Sequence, residues 1–217
     1  MDKHDMKHGV KINKCIDIAV LLRLYHTFKM DKYDMKHGVK NGQVHRSSGA
    51  PAVITYYDDG QIQSREWYID GMSHRIDDPS VINYFENGKI RSKSWLINHS
   101  FCRPGSSPTI ILYYKNGKIR HEAWFTDGKL NRPGCAPTSI EYFENGQIKE
   151  EAWVTDGQTH RPGGSPAIIR YFENGQIQNE LYITYGKLCI DTPENREIQL
   201  DSHIKMRNFI TSMFPSM

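Results

Sequence analysis

A single hairpin-like segment recurs along most of this chain. The stretch YFENGQI at 142–148 returns letter for letter at 171–177, and close relatives stand at 56–62, 84–90 and 113–119. The glycines of this segment follow one another at steps of 28, 29, 29 and 29 residues, at Gly60, Gly88, Gly117, Gly146 and Gly175. A fixed period of this length is typical of an array in which each unit contacts only its neighbours.

Each unit reads as two strands and two turns. A proline precedes a run such as TSIEYF, an Asn-Gly or Asp-Gly turn follows, and the run QIKEEAWVT leads to a second Asp-Gly turn and a Gly/Pro/Ser loop. Glycine and asparagine supply the positive φ that tight hairpin turns require. Arg46 stands five residues before its proline but Arg75 only four, so the loop after Arg75 lacks one residue. The pattern predicts five hairpins with a half-unit in front.

The loop length decides which side chains of a hairpin share a face. A two-residue loop pairs Phe143 with Ile148, whereas a three-residue loop that ends in a left-handed glycine pairs Tyr142 with Ile148 and Glu141 with Lys149. We prefer the three-residue loop. It predicts one face with Ile140, Tyr142, Ile148, Ala152 and Val154, matched one repeat earlier by Ile111, Tyr113, Ile119, Ala123 and Phe125, and an opposite face with Glu141, Phe143, Lys149, Glu151 and Trp153.

The predicted fold is all-β: an elongated single-layer antiparallel repeat sheet of about five β-hairpins, with a C-terminal helical cap. We divide the chain into an N-terminal cap or extension at 1–40, the repeats at 41–188 and the helical cap at 189–217. Strands about 4.8 Å apart make a long ribbon whose two edges need covers. Thr192 and Pro193 are typical of a helix start, and the helix has apolar positions at Ile198, Leu200, Ile204, Phe209, Ile210 and Met213.

The N-terminus carries a second kind of repetition. MDKHDMKHGVK at 1–11 returns as MDKYDMKHGVK at 30–40, with ten of eleven letters identical. Two explanations are open: a degenerate extra unit that serves as the front cap, or a duplicated start in which Met30 is the older beginning.

Charge, hydropathy and cysteine usage indicate the cellular compartment of the protein, but they do not identify its partner. A net charge of +3 and a mean hydropathy of −0.64 predict a polar, soluble chain, with no attraction to nucleic acid or membranes from the total charge. Cys15, Cys102, Cys135 and Cys189 show no metal-site or disulfide spacing. No apolar run is long enough to cross a bilayer. We therefore expect reduced cysteines and a cytoplasmic protein, located in the host cytoplasm or the virion if it is viral.

The motif Y-[FY]-x-N-G-[QK]-I followed by W-x-x-D-G-K-L resembles the MORN-type repeats. The resemblance covers about residues 41–188 and is strongest to the variant form of bacterial antitoxin-like proteins and of large DNA viruses that infect amoebae. It implies an antiparallel repeat sheet used as an interaction or assembly surface. A MORN unit is commonly shorter and has an H-G-x-G element, whereas these units carry H-R-P-G-x-x-P. The resemblance therefore supports a membrane as a partner only weakly.

Arginines recur at one position of each unit and should form a ladder along the sheet: Arg46, Arg75, Arg103, Arg132 and Arg161. Such a ladder could bind phosphates, a polyanion or an acidic partner. Alternatively, each guanidinium lies on a neighbouring aromatic ring or caps a loop carbonyl. We favour the second interpretation because acidic residues also recur and would neutralise the strip.

An aromatic residue recurs late in each second strand, as Trp67, Trp95, Trp124, Trp153 and Tyr182. These rings could form an exposed platform for bases or for a protein partner. Aromatic packing between units that stabilises a thin sheet explains them without a ligand, and we favour that explanation. The repeat arginines and the four tryptophans remain the candidate partner-binding residues.

The motifs of common enzymes are absent from the sequence. His45, His74 and His160 are spread over different units, so they do not converge on a metal, and we expect no catalytic residues, no metal and no cofactor. The leading hypothesis is a non-enzymatic scaffold for a protein partner, with a large DNA virus as one setting. The alternatives are an antitoxin-like inhibitor that binds a toxin, and polyanion or phosphoinositide binding through the arginine ladder. Pairing of copies through a sheet edge or face is compatible with the pattern, and nucleic acid is not expected as a partner.

Overall fold

The structure is a computed structural model that describes residues 33–34, 39–190 and 193–213. The duplicated segment at 1–11, the apolar stretch at 12–29 and Thr192 lie outside the described residues. The two explanations of the duplication therefore stay predictions, as does the division of the chain at 1–40, 41–188 and 189–217.

The described chain contains short strands and one helix. In chain order the elements are β1 (Tyr33–Asp34), β2 (Val39–Lys40), β3 (Gln43–Val44), β4 (Val53–Tyr56), β5 (Ile62–Glu66), β6 (Tyr68–Ile69), β7 (Met72–Ser73), β8 (Val81–Tyr84), β9 (Ile90–Ser94), β10 (Leu96–Ile97), β11 (Ser100–Phe101), β12 (Ile110–Tyr113), β13 (Ile119–Ala123), β14 (Phe125–Thr126), β15 (Lys129–Leu130), β16 (Ser139–Tyr142), β17 (Ile148–Ala152), β18 (Val154–Thr155), β19 (Gln158–Thr159), β20 (Ile168–Tyr171), β21 (Ile177–Leu181), β22 (Ile183–Thr184), β23 (Lys187–Leu188) and α1 (Pro193–Met213).

The ten longer strands and β1 form one antiparallel sheet of eleven strands, in the order β1-β4-β5-β8-β9-β12-β13-β16-β17-β20-β21. Five hairpins, one from each repeat unit, supply ten of these strands. The remaining strands pair as six small hairpins beside the sheet. The predicted all-β repeat sheet of five hairpins is confirmed.

The two turns of each unit differ in loop length. In the fourth unit the Phe143 N–H donates to the Gln147 carbonyl and the Gly146 N–H donates to the Phe143 carbonyl, at 2.8 and 2.9 Å. This is the predicted three-residue loop, and Gly146 closes it at a φ of 96°. The second turn has two residues with positive φ, as at Asp156 and Gly157. Asn98-His99 and Tyr185-Gly186 adopt the same conformation although their letters differ.

A β-bulge in every large hairpin changes which residues share a face. Tyr142 pairs with Ile148 as predicted, but Glu141 pairs with Glu150, so Lys149 is the extra residue. The bulge moves the rest of the second strand to the opposite face. Ala152 therefore lies opposite Ser139 and Glu151 opposite Ile140.

Ile140, Tyr142 and Ile148 share a face as predicted, but the predicted sorting of the second strand after Lys149 was wrong for this reason. Ala152 does not share a face with Ile140, and Ala123 pairs with Ile110 rather than sharing the face of Ile111. We call the face that carries Ile110, Leu112 and Ala123 the inner face, and the face that carries Ile111, Tyr113 and Glu122 the outer face. The same assignment holds for the corresponding residues of the other units.

The core lies between the inner face and the small hairpins. Ile110, Leu112 and Ala123 of the sheet form one buried cluster with residues of the small hairpins, namely Leu96, Phe101, Phe125 and Leu130. The rings of Phe101 and Phe125 are 4.9 Å apart. The small hairpins also bond to one another, since the Gly128 N–H donates to the Phe101 carbonyl at 3.2 Å. Each small hairpin thus folds over the sheet and continues the repeat as a second row.

The helix α1 begins at Pro193, as predicted, and packs on the last unit. Ile198 contacts the buried cluster of Ala152, Ala167, Ile168, Leu181 and Ile183. Arg170 of the inner face donates to the Asp201 carboxylate at 2.9 Å. The predicted helical cap is confirmed, but it covers the inner face and leaves the edge strand β21 without a second neighbour among the described strands. No helix of the described chain has the length and apolarity to span a membrane.

Two of the predicted apolar helix positions, Leu200 and Ile204, are exposed rather than buried. Among the apolar helix side chains that the structure describes, Ile198 is the one that packs on the core. The side chains of Phe209, Ile210 and Met213 lie outside the described residues.

Candidate functional site: the outer face of the sheet

Each tryptophan stands at the corner where the chain leaves the sheet for a small hairpin. The Trp67 N–H donates to the Ser80 carbonyl of the next unit at 2.9 Å, and its carbonyl accepts from the His74 N–H at 3.0 Å. The four rings are buried, with exposed fractions of 4 to 8%. They are therefore not an exposed stacking platform.

The repeat arginines cover these rings. The Cζ atoms of Arg103, Arg132 and Arg161 lie 3.7 to 3.8 Å from the ring centroids of Trp95, Trp124 and Trp153, and Arg75 lies 4.3 Å from that of Trp67. The Nη1 atom of each of these arginines also donates to the carbonyl of the following proline, for example from Arg103 to Pro108 at 2.8 Å. Arg46 makes the same bond to Pro51 at 2.9 Å.

These contacts confirm our favoured interpretation of the arginine ladder, since the guanidiniums stack on aromatic rings and cap loop carbonyls. The guanidinium of Arg103 is partly desolvated, which lowers its pKa. Whether the arginines and tryptophans also bind a partner stays a prediction.

The loop after Arg75, which is one residue shorter than the others, changes the hydrogen bonding of Trp95. The Nε1 atoms of Trp67, Trp124 and Trp153 each donate to a loop carbonyl eighteen residues earlier, at 2.8 to 2.9 Å. The Nε1 atom of Trp95 is buried and has no partner in the described part of the chain. The corresponding loop is the one after Arg75, so the missing residue removes the carbonyl that the other units supply.

Two rows of side chains fill the outer face; sequence reasoning placed Tyr142 with Ile148 on one face but did not single the rows out as a candidate site. The hairpin pairing places tyrosines opposite isoleucines in every unit, as with Tyr113 and Ile119. The rows contain Tyr56, Tyr84, Tyr113, Tyr142 and Tyr171, and Ile62, Ile90, Ile119, Ile148 and Ile177. Most of these residues are half-buried, and Ile119 and Ile177 are exposed. The signal was present in the repeated motif, where both letters recur five times.

A charged residue beside each tyrosine joins one unit to the next in two different ways. In the first units cations lie near the rings: the Arg65 Cζ atom is 5.6 Å from the Tyr84 centroid and the Lys93 Nζ atom is 5.9 Å from that of Tyr113. In the later units carboxylates replace the cations. The outer face therefore changes from basic to acidic along this row.

The later tyrosines donate their hydroxyls to these carboxylates. Tyr142 donates to Glu122 and Tyr171 donates to Glu151, both at 2.7 Å. Desolvation and the hydrogen bond to Glu151 raise the pKa of Tyr171 to about 12, and desolvation and the hydrogen bond to Glu122 raise the pKa of Tyr142. Both phenols are held in their neutral, donating form.

The inner face has a charged cluster where the helix docks. Arg170 donates to Glu150 at 2.7 Å and to Asp201 at 2.9 Å, and Asp201 also accepts from Lys205 at 2.9 Å. These bonds lower the pKa of Asp201. Each charge in the cluster has an opposite partner, so it holds the helix in place and offers no free cation for an anion.

Other polar groups of the described chain do not converge on a reactive centre. Within residues 33–34, 39–190 and 193–213 there is no group of three His, Cys, Asp or Glu side chains arranged to hold a metal ion. His45, His74 and His160 contact the second turn of the following unit, for example His74 Nδ1 with Asn98 Oδ1 at 2.8 Å. Cys102, Cys135 and Cys189 are free thiols.

One repeat matches a known family. Residues 138–152 match the family model described as the MORN repeat variant. The matched stretch holds both strands of the fourth large hairpin and its three-residue turn. No curated protein and no solved structure matches the chain. This match supports a MORN-type repeat protein, and four further units repeat the pairing of the matched hairpin.

Proposed function

We propose that this protein is a non-enzymatic scaffold that binds a protein partner on the outer face of its repeat sheet. A MORN repeat supports a repeat-type interaction or scaffold module. The observation that carries the proposal is the continuous row of half-buried tyrosines and isoleucines on the outer face. Aromatic and aliphatic side chains in a flat, partly exposed array are typical of protein interfaces.

The arginine ladder contributes to this surface mainly as packing. The guanidiniums of the ladder stack on tryptophan rings, and one N–H group of each donates to a proline carbonyl, as Arg103 does with Trp95 and Pro108. Binding of a polyanion would have to compete with these contacts, which favours a protein partner over the phosphoinositide alternative. An antitoxin-like role would use the same outer face, with a toxin as the partner. Assembly within a large DNA virus is the other setting that we propose for the scaffold.

The test is a charge placed on the outer face. Ile119→Glu puts a carboxylate on an exposed isoleucine in the middle of the row, and Leu200→Glu makes the same change on the exposed side of the helix. A partner captured from the native source by the wild type and by Leu200→Glu, and lost with Ile119→Glu, supports the proposal once the purified partner shows the same pattern. Equal binding by all three proteins would refute the outer face as the site, and finding no stable partner would count against the scaffold itself.

A further inference from the structure

The last strand of the sheet, β21, has an open edge. It pairs with β20 on one side and with no other described strand on the opposite side. Phe172, Ile177 and Tyr182 of this unit are 48, 54 and 38% exposed, whereas the ring of the preceding unit, Trp153, is 6% exposed. An unpaired strand next to exposed apolar side chains is a site at which another strand can add.

The preceding junction shows which groups this edge offers. Glu151 pairs with Ile169 of the next unit, and the Trp153 N–H donates to the Ala167 carbonyl at 2.9 Å. One unit later the corresponding residues are Glu180 and Tyr182, whose backbone N–H groups point away from the hairpin. Leu181 between them is committed to its own hairpin, because its carbonyl accepts from the Ala167 N–H at 2.8 Å.

The same junction shows which side chain the edge recognises. Tyr171 stands two residues after Ile169 and donates its hydroxyl to Glu151 at 2.7 Å. Glu180 is the corresponding carboxylate of the last unit and is exposed. Among the described residues, the Glu180 carboxylate accepts a hydrogen bond from the hydroxyl of Tyr182, at 3.4 Å on the same strand. Glu180 is thus placed to accept a hydrogen bond from a tyrosine of an incoming strand.

A second copy of the chain fits this edge poorly. A two-fold pairing of β21 centred on Glu180 would oppose the two Glu180 carboxylates on one face, which is destabilising. A pairing centred on Leu181 would use the Tyr182 carbonyl, which already accepts from the Cys189 N–H at 2.8 Å. The first strand of each of the five units is already paired on both sides. A second copy therefore cannot offer one of these strands to the β21 edge.

We propose that the β21 edge binds an extended segment of another protein by antiparallel strand addition. A β-branched residue of the segment lies opposite Glu180, and a tyrosine two residues later donates its hydroxyl to the Glu180 carboxylate. The inference rests on the proposed interaction function, but it uses the edge of the sheet rather than the outer face.

The probe is a labelled peptide, SPAIIRYF, which copies residues 165–172 and contains the first strand of the fifth unit, β20. Fluorescence anisotropy with the purified full chain compares it with the same peptide in which phenylalanine replaces the tyrosine. We expect the tyrosine peptide to bind about fivefold more tightly, the factor that corresponds to one hydrogen bond of about 1 kcal/mol. Glu180→Ala should remove this preference, and Glu151→Ala, the matched change at the interior junction, should keep it.

Glu180→Pro removes a backbone N–H that points away from β20 and leaves the hydrogen bonds to β20 in place. It should weaken the binding of both peptides by about tenfold or more. Absence of binding at about 1 mM peptide, or binding that neither Glu180 variant changes, overturns the proposal. Sedimentation that shows a dimer of the wild type and a monomer of Glu180→Pro also overturns it, because a second copy then fills the edge. Ile119→Glu should leave peptide binding unchanged, so failure of the outer face and failure of the edge are separate results.

Discussion

The fourth and fifth units share the turn motif YFENGQI, yet their corner rings differ in environment. Trp153 is 6% exposed, lies under Arg161 at 3.8 Å and bonds to Ala167 of the next unit. Tyr182 is 38% exposed, and Ile190 stands where the arginine would be. The comparison shows that the unit that follows supplies much of the burial of a corner ring. The last unit has no following unit, and there a tyrosine, which tolerates water, replaces tryptophan.

The largest expected difference is in the corner rings themselves. Trp153→Ala should lower the free energy of unfolding by about 3 to 5 kcal/mol because it empties a buried site. Tyr182→Ala should lower it by about 1 kcal/mol or less, since the ring is already in contact with water. Urea unfolding followed by circular dichroism measures both values. Equal losses would show that the two units do not differ in burial.

The second expected difference between an inner unit and the last unit is in how stability depends on pH below neutrality. Burial and the nearby Arg120 lower the pKa of His121 to about 3, below its value in the unfolded chain. The stability that this histidine contributes is therefore complete above pH 6.5 and is lost as the pH falls toward 3, with a slope of at most about 1.4 kcal/mol per pH unit. His121→Gln should flatten this slope. The matching change in the last unit, Asn179→His, should add little slope, because Gln178 stands where Arg120 would be and no following described strand pairs with β21; a large added slope would contradict the comparison.

A third difference is expected from the tyrosine hydroxyls. Tyr171→Phe should cost about 1 kcal/mol at neutral pH, because the hydrogen bond to Glu151 is lost. The pKa of Tyr171 is raised to about 12, so its contribution is complete below pH 10 and is lost as the pH rises toward 12. The variant should therefore lose less stability than the wild type over that interval. Tyr182→Phe, whose hydroxyl is exposed, is the control, and an equal cost there would remove the distinction.

The smallest effects come from the stacked guanidiniums. Arg161→Gln should cost about 0.5 to 1 kcal/mol through loss of its contact with Trp153. Ile190→Arg restores the missing arginine over Tyr182 and should stabilise the last unit by about 0.5 kcal/mol. Thermal unfolding of both variants tests this pair. If Ile190→Arg destabilises the protein, the missing arginine alone does not explain the different environment of Tyr182.

Much of the fold could be predicted because turns are local. The 29-residue period, the three-residue loop that ends at Gly146, the second turns and the helix start at Pro193 all follow from letters that stand next to one another. Backbone preferences of glycine, asparagine and proline act within a few residues. The missing residue after Arg75 was also visible, and it accounts for the unpaired Nε1 atom of Trp95.

The candidate site was predicted less well because a face is a property of pairing. Lys149 gives no local sign that it forms a bulge, yet the bulge moves Ala152 away from Ile140 and Glu151 toward it. The placement of Glu122 and Glu151 beside the tyrosine row on the outer face depends on that shift. The stacking of Arg161 on Trp153 was one of two interpretations, and the letters alone could not choose between an exposed and a covered ring.

The amino-acid pattern was enough to specify a repeated antiparallel array, its period and the conformation of its turns, since these depend on φ preferences and on strand alternation. The three-dimensional packing was needed to establish which face is outer, that the tryptophans are covered, and that α1 covers a face and leaves β21 open. These outcomes depend on bulges and on contacts between units, in which residues distant in the chain compete for the same space and the same hydrogen bonds.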